Sequence, residues 1–298
     1  MSGSSEMWQL GSQAVQVSHL EKRYWPQTGI TKGEMLRYYR QIAPVVLPYC
    51  KDRPVTLRVF PQGVDGGSYY LRDCPDSAPD WLRRVQYRPK TVTHMVPLPL
   101  IDTAAGLIWF ANQGAIEFHL WSSHAPDLTQ PDQAIFDLDP GDMASFDDVR
   151  EAALRLHDKL EQGRVTGYPK TSGGHGLHVY VPLAAGYTFE RVRRWVKAVG
   201  QQLATTYPEL ISAAQGSTHR GDRVTIDYAQ NSVGRNTAAP YTLRASTPHP
   251  TVSTPLAWEE LHAGDIHPAG LTPQVVLERV QRLGDLLAPV LHTDQHIS

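Results

Sequence analysis

Apolar positions along the chain recur at two spacings. At helical spacing, Leu36, Tyr39, Ala43 and Val46 follow Thr31-Lys32-Gly33-Glu34, a capping box that satisfies orphan N–H groups. This predicts a helix opening at Thr31 that Pro44 kinks or ends. Ser145 caps a second stripe, Val149, Ala152, Ala153, Leu156 and Leu160, and Thr188 a third, Val192, Trp195, Val196, Val199 and Leu203. Thr272-Pro273 opens a fourth, with Val276, Val280, Leu283 and Leu287 inside. The second spacing is that of strands, which the runs 55–60, 115–121, 133–139, 176–182 and 223–229 show by alternation or β-rich content. Strands and helices do not alternate strictly, so the pattern argues against a doubly wound parallel sheet and for α+β. Stretches 122–132 and 245–256, proline-rich and polar, read as connections, and no internal repeat is present.

Composition narrows the class. The 298 residues suffice for one large domain or two lobes, and 41% hydrophobic with 19% charged residues excludes bulk disorder. No apolar run approaches the roughly 20 residues of a membrane span, and MSGSSEMWQL lacks the pattern of a signal peptide. Two cysteines, Cys50 and Cys74, exclude a disulfide scaffold and a Cys-rich zinc site, with reduced cytosol as the default compartment. A formal net charge of −2 gives no global argument for nucleic acid, so any such claim rests on local patches. The last 42 residues, from Ala257, hold six acids and two bases and are not expected to touch a polyanion.

Chemistry concentrates in a few segments. In Phe136-Asp137-Leu138-Asp139-Pro140, strand alternation puts Asp137 and Asp139 on one face. Two such carboxylates repel by roughly 4 kcal/mol at 4 Å in an effective dielectric of 20, so the pair wants a divalent cation or a proton. The plainer reading is a strand end meeting a turn. Arg223 to Ala229 alternates, with Val224, Ile226 and Tyr228 opposite Thr225, Asp227 and Ala229. Asp is disfavoured in mid-strand, so Asp227 is either on an exposed face or a third carboxylate for two Mg²⁺ or Mn²⁺ ions. In Thr171-Ser172-Gly173-Gly174-His175-Gly176-Leu177-His178, the glycines let backbone N–H groups point at an anion, with Ser172 and His175 beside them. A plain glycine hairpin is the alternative.

Basic residues cluster at 81–90, with four bases and no acid, and at Arg220, Arg223, Arg235 and Arg244 around Asp227. They suit a metal–triphosphate, or they form surface ion pairs worth little. Lys32 lies in the first turn of its helix, where the dipole disfavours a cation unless an anion binds there, and Lys22 can share it. Tyr69 and Tyr70 offer a stacking platform for a base or are ordinary sheet aromatics.

Taken together and in order, these segments resemble the polymerase domain of bacterial ligase D, within the archaeo-eukaryotic primase superfamily. The resemblance spans roughly residues 15–290. It rests on Lys22-Arg23-Tyr24-Trp25-Pro26, Gly29-Ile30-Thr31-Lys32-Gly33, Asp52 to Arg58, Phe136 to Pro140, Thr171 to His178, Asp227-Tyr228-Ala229-Gln230-Asn231 and Ala239 to Arg244. It implies that Asp137, Asp139 and Asp227 are catalytic metal ligands and that Ser172, His178 and Arg244 bind the incoming triphosphate, with His175 and Arg235 as further nucleotide contacts. It implies that His119 lies near nucleotide and template, that Lys22 and Lys32 grip a 5′-phosphate, that Tyr69 and Tyr70 stack on template, and that Arg220 is a basic residue near the active site. His175 and Arg235 stand where the family usually has lysine, and His19 where asparagine is frequent near the 5′-phosphate.

The resemblance implies a primase-like α+β fold of two packed lobes, with mixed and antiparallel sheets flanked by helices. The expected layout is a flexible leader over 1–14 and a single primase-polymerase domain over 15–298, made of an N-terminal lobe over roughly 15–130 with the 5′-phosphate site, a catalytic lobe over roughly 131–245 and a helical tail over 246–298. The implied function is a template-directed nucleotidyltransferase. It fills gaps and extends ends in non-homologous end joining, uses two Mn²⁺ or Mg²⁺ ions and prefers NTP to dNTP. Expected partners are DNA ends or gaps with a 5′-phosphate, NTP or dNTP, Ku and a DNA ligase; the expected location is cytoplasmic, at the nucleoid. The alternatives are a metal-dependent nuclease or phosphodiesterase, which shortens DNA without added nucleotide, and a non-catalytic end-binding module, which shows no turnover. No K-x-D-G ligase nucleophile motif is present.

Overall fold

A computed structural model describes residues 5–89, 92–212 and 221–297. The described residues form two compact units. The first draws on the chain up to Trp121, on Asn236–Val252 and on Thr272–Arg282; the second takes Ser122–Arg235, Ser253–Leu271 and the residues from Leu283 on. The described part of the expected leader and the tail do not stand apart. Ser5–Leu10 pairs antiparallel with Gln13–Ser18, so residues 5–14 belong to a hairpin whose Trp8 and Leu10 are buried. The stretch 246–298 is divided between the units and includes the strand Thr251–Val252, which pairs with Leu243–Arg244.

In the first unit a four-stranded antiparallel sheet runs in the order Asn236–Ala238, Ala115–Trp121, Val55–Val59, Tyr69–Leu71. Register opposes Thr56 to His119, Leu57 to Phe118 and Arg58 to Glu117. Leu57, Ile116 and Phe118 therefore share one face, and Thr56, Arg58, Glu117 and His119 the other. Helix α1 (Lys32–Cys50) packs on the apolar face, where the Tyr39 ring meets Phe118 at 5.0 Å. Its capping box forms as expected, with Thr31 and Glu34 bonding each other's backbone N–H. The helix nevertheless continues through Pro44 and Pro48, because its buried stripe, with Ile42 and Ala43 before Pro44 and Val46 and Tyr49 beyond it, holds both sides against the core. Helix α2 (Ala104–Asn112) has no counterpart in the pattern: Ala105, Leu107, Ile108, Phe110 and Ala111 are all buried, and a helix apolar nearly all round shows no stripe.

The second unit is built on a mixed sheet in the order Tyr168–Thr171, Leu177–Pro182, Gln133–Pro140, Val224–Ile226, Ile211–Ser212, antiparallel except for the last pair. Helices α3 (Phe146–Gln162) and α4 (Phe189–Thr206) open at Ser145 and Thr188, as expected. Val149, Ala152 and Leu156 of α3 and Val192, Val196 and Leu203 of α4 share a buried core with Phe136, Leu138, Leu177, Val179, Val224 and Ile226. One sheet face is thus sealed by helices, and residues of opposite parity point the other way. The strand Val224–Ile226 ends sooner than its alternation suggests. It stops at Ile226, and Asp227 caps a short 3₁₀ turn over Tyr228–Gln230.

Helices α5 (Trp258–Ala263) and α6 (Pro273–Leu283) follow. Of the stripe expected on α6, Val276 is buried within the helix; Leu283 is exposed and Leu287 is buried beyond it. No helix among the described residues is long and apolar enough to cross a membrane. Cys50 and Cys74 are free thiols, both buried.

Candidate active site

Backbone register sets the acids side by side in the second unit. Leu138 opposes Ile226, and Asp139 opposes Thr225. The Asp227 N–H extends this pairing by donating to the Asp137 carbonyl at 2.8 Å. Asp137 and Asp227 are therefore cross-strand partners on the face that also carries Asp139 and Thr225. On the other side Asp137 opposes His178, whose Nε2 lies 3.2 Å from Asp137 Oδ1. His178 in turn opposes Lys170. One row across the sheet thus reads Lys170, His178, Asp137, Asp227.

The chemistry of this face suits a hard divalent cation: two carboxylates from one strand, a third just past the end of its neighbour, and opposite Asp139 the buried Thr225 hydroxyl, which finds no hydrogen-bond partner among the described residues. The side chains do not close into a coordination shell. Among the described residues no group of three or more His, Cys, Asp and Glu stands ready to hold a metal ion. Asp227 Oδ1 accepts the Ala229 N–H at 2.9 Å, and a ligand there has to compete with that turn.

The glycine turn is built differently from its sequence reading. The Gly174 and Gly176 N–H groups donate to Ser172 Oγ at 3.2 and 3.1 Å, so the serine, rather than an outside anion, receives them. Gly173 sits at φ +77°, and a Cβ on Gly176 would stand 2.5 Å from the Leu138 carbonyl oxygen, so the turn passes directly over the acid-bearing strand. His175 is exposed at its tip, and Arg235 is exposed on the turn that follows Asn231. Lys170, which the motifs do not single out, is fully buried. It donates to Ser253 Oγ and sits 5.7 Å from the Tyr180 ring, tying the base of the turn to the segment 253–256.

The polar sheet face of the first unit gathers His119 and Arg244 around a residue that sequence reasoning passes over, Glu117. This carboxylate is 2% exposed. His119 Nε2 stands 3.1 Å and Arg244 Nε 3.4 Å from Oε2, while Arg58 Nη1 at 3.5 Å and the Ala245 N–H at 3.1 Å reach Oε1. Burial pushes the Glu117 carboxyl up, but the His119 hydrogen bond, the charges of Arg244 and His119 and the Ala245 N–H outweigh it and bring it down to about 2. The signal that could have found Glu117 is its spacing of two from His119 in an alternating strand. Tyr69 and Tyr70 are both exposed on the edge strand; the Tyr70 ring lies 6.2 Å from that of His119 and 5.9 Å from the Arg58 guanidinium.

A second polar site in this unit is a cleft of about 320 Å³ lined by His19, Lys22, Lys32, Tyr24 and Asn112, among others. Lys32 is buried and donates to the Ser18 carbonyl at 2.8 Å; Lys22 donates to Pro61 O and Gln62 Oε1 at 2.7 Å each. Burial, reinforced by the Lys22 charge, lowers the Lys32 ammonium to about 8. The cleft brings together the two lysines that the sequence paired. Of the basic run 81–90, Arg83 is committed to ion pairs with Asp52 and Asp102. Arg220 lies outside the described residues.

The chain is similar to known proteins along most of its length. The family model described as LigD, primase-polymerase domain, matches residues 31–287. The multifunctional non-homologous end joining protein LigD of Mycolicibacterium smegmatis is 35% identical over 280 residues, which are 93% of this chain and 36% of that protein. The bifunctional LigD of Bacillus subtilis is 28% identical over 271 residues, 91% of this chain and 43% of that protein. The solved polymerase domain of Mycobacterium tuberculosis ligase D in complex with DNA matches with a TM-score of 0.87 at 32% identity, over 94% of this chain and 99% of that one. The chain spans a little over a third of the length of the mycobacterial relatives.

Proposed function

Because the chain belongs to the LigD primase-polymerase domain family and shares its archaeo-eukaryotic primase-like α+β fold, we propose that it is a template-directed nucleotidyltransferase that fills gaps and extends DNA ends in non-homologous end joining, with NTP preferred to dNTP. The observation that carries this reading is the sheet row that sets Asp227 beside Asp137, on the face shared with Asp139. These three carboxylates would hold Mg²⁺ or Mn²⁺. Such ions, when bound, lower the pKa of a primer 3′-hydroxyl and neutralise a leaving pyrophosphate.

The chain's own groups supply positioning. His178 fixes the Asp137 carboxylate from the adjacent strand and, with Ser172 on the turn above, is assigned to the triphosphate. His175 and Arg235 are assigned as outer nucleotide contacts, exposed enough to reach a ligand. In the first unit His119 and Arg244 are assigned to the nucleotide, and Tyr69 and Tyr70 to stacking on template bases. Lys22 and Lys32 are assigned to the 5′-phosphate of a gap, which would offset the crowding of two like charges in one cleft. Arg220 keeps its assignment as a basic DNA contact, and Ku and a DNA ligase are the partners proposed for the reaction that follows.

The test is primer extension on a gapped, 5′-phosphorylated duplex with Mn²⁺ and each nucleotide type in turn. The parent lengthens the primer, and Asp137→Ala and Asp139→Ala abolish extension while DNA binding persists. Normal extension by Asp137→Ala contradicts the reading. So does shortening of the labelled strand without added nucleotide, the behaviour of a nuclease.

A further inference from the structure

We propose that Glu117 is a positioning residue that sets the nucleotide-facing posture of His119 and Arg244; this rests on the assignment of those two residues to the nucleotide. The carboxylate joins two side chains that reach it from different strands. His119 comes from its own strand, two residues on, and Arg244 from the short hairpin strand Leu243–Arg244. Both meet Oε2, while Oε1 is held by Arg58, its cross-strand partner, and by the Ala245 backbone. Three hydrogen-bond donors, His119, Arg58 and the Ala245 N–H, and the Arg244 guanidinium as an ion-pair partner leave the carboxylate little freedom, so it fixes its partners rather than following them.

Charge supports the same role. One buried anion faces two guanidiniums and an imidazole, and a structural ion pair needs only one partner. The surplus positive charge is carried on side chains more open than the carboxylate, at 35% for Arg58 and 24% for Arg244 against 2% for Glu117. Such an arrangement presents preorganised donors to an anionic ligand without waiting for the ligand to order them.

The test is Glu117→Gln, which keeps the volume but removes the charge that faces Arg244 and, on one side, can turn the acceptor of the His119 hydrogen bond into a donor. The nucleotide KM is expected to rise about tenfold with kcat little changed, the signature of lost uniform binding. In a His119→Ala/Arg244→Ala background the same substitution is expected to add less than about twofold, because its partners are gone. An unchanged KM overturns the proposal, as does an equal rise in both backgrounds. If Glu117→Gln does not fold, Glu117→Asp serves in its place. It keeps the charge but shortens its reach, and the same dependence on background is required of it. A parent that neither binds nucleotide nor extends a primer removes the assignment beneath the proposal. An active parent whose nucleotide KM is indifferent to Glu117→Gln removes the proposal alone.

Discussion

Lys32 shows how much one side chain can encode. A cation at the first position of a helix opposes the helix dipole, and here it is buried beside a second lysine. Burial first, and then the Lys22 charge, favour the neutral amine, and the Lys32 pKa falls to about 8. A bound phosphate reverses the balance by favouring the ammonium. Preference for a 5′-phosphorylated gap should therefore be full below about 8 and decline as pH rises through that value, because the neutral amine no longer attracts the phosphate. Lys32→Ala should lower the preference about tenfold at neutral pH and flatten its pH dependence. Binding titrations with phosphorylated and unphosphorylated gaps give both numbers. Equal loss on the two substrates contradicts a phosphate-binding role.

Lys32 is legible because it breaks a rule that sequence alone can check. Glu117 and Lys170 break none until burial is known. A Glu or Lys in an alternating strand reads as a solvated face, and only the sheet register shows that both lie inside.

At the level of elements, the capped and amphipathic helices are readable from spacing, and α1, α3 and α4 begin at their expected caps. Readability fails where tertiary contacts decide. Val46 keeps the apolar spacing past Pro44, but spacing alone does not decide whether the proline ends the helix, and α2, without a polar stripe, has no period to detect. The strand Val224–Ile226 looks longer in sequence because Tyr228 keeps the alternation going, while the Asp227 side chain caps a turn instead.

The strand carrying Asp137 and Asp139 is held from behind by Phe136 and Leu138, both fully buried. Leu138→Ala should cost about 2–5 kcal/mol in urea unfolding. Gly176→Ala should act by another route, since its Cβ meets a backbone oxygen that cannot move aside. It should weaken nucleotide binding by displacing the turn from the strand. A Gly176→Ala chain with parental stability and nucleotide affinity contradicts that close approach.

For the molecule as a whole, the family and the mixed architecture are more legible in the sequence than the boundaries are. The expected division into leader, two lobes and tail follows chain order, whereas the described residues divide by contact, and the C-terminal stretch contributes to both units. Long-range pairing of this kind leaves no local trace in composition. A net charge of −2 is equally silent about DNA; the argument comes from where cations are concentrated, in the Lys22–Lys32 cleft and around Glu117.

The central claim is that carboxylates 88 positions apart in sequence serve one cation site. The direct measurement is Mn²⁺ retained per chain, read by electron paramagnetic resonance with a non-hydrolysable nucleoside triphosphate present. Asp137→Asn and Asp227→Asn should each lose the Mn²⁺ that the parent holds. Parental Mn²⁺ binding by Asp227→Asn, alongside loss in Asp137→Asn, would contradict the claim.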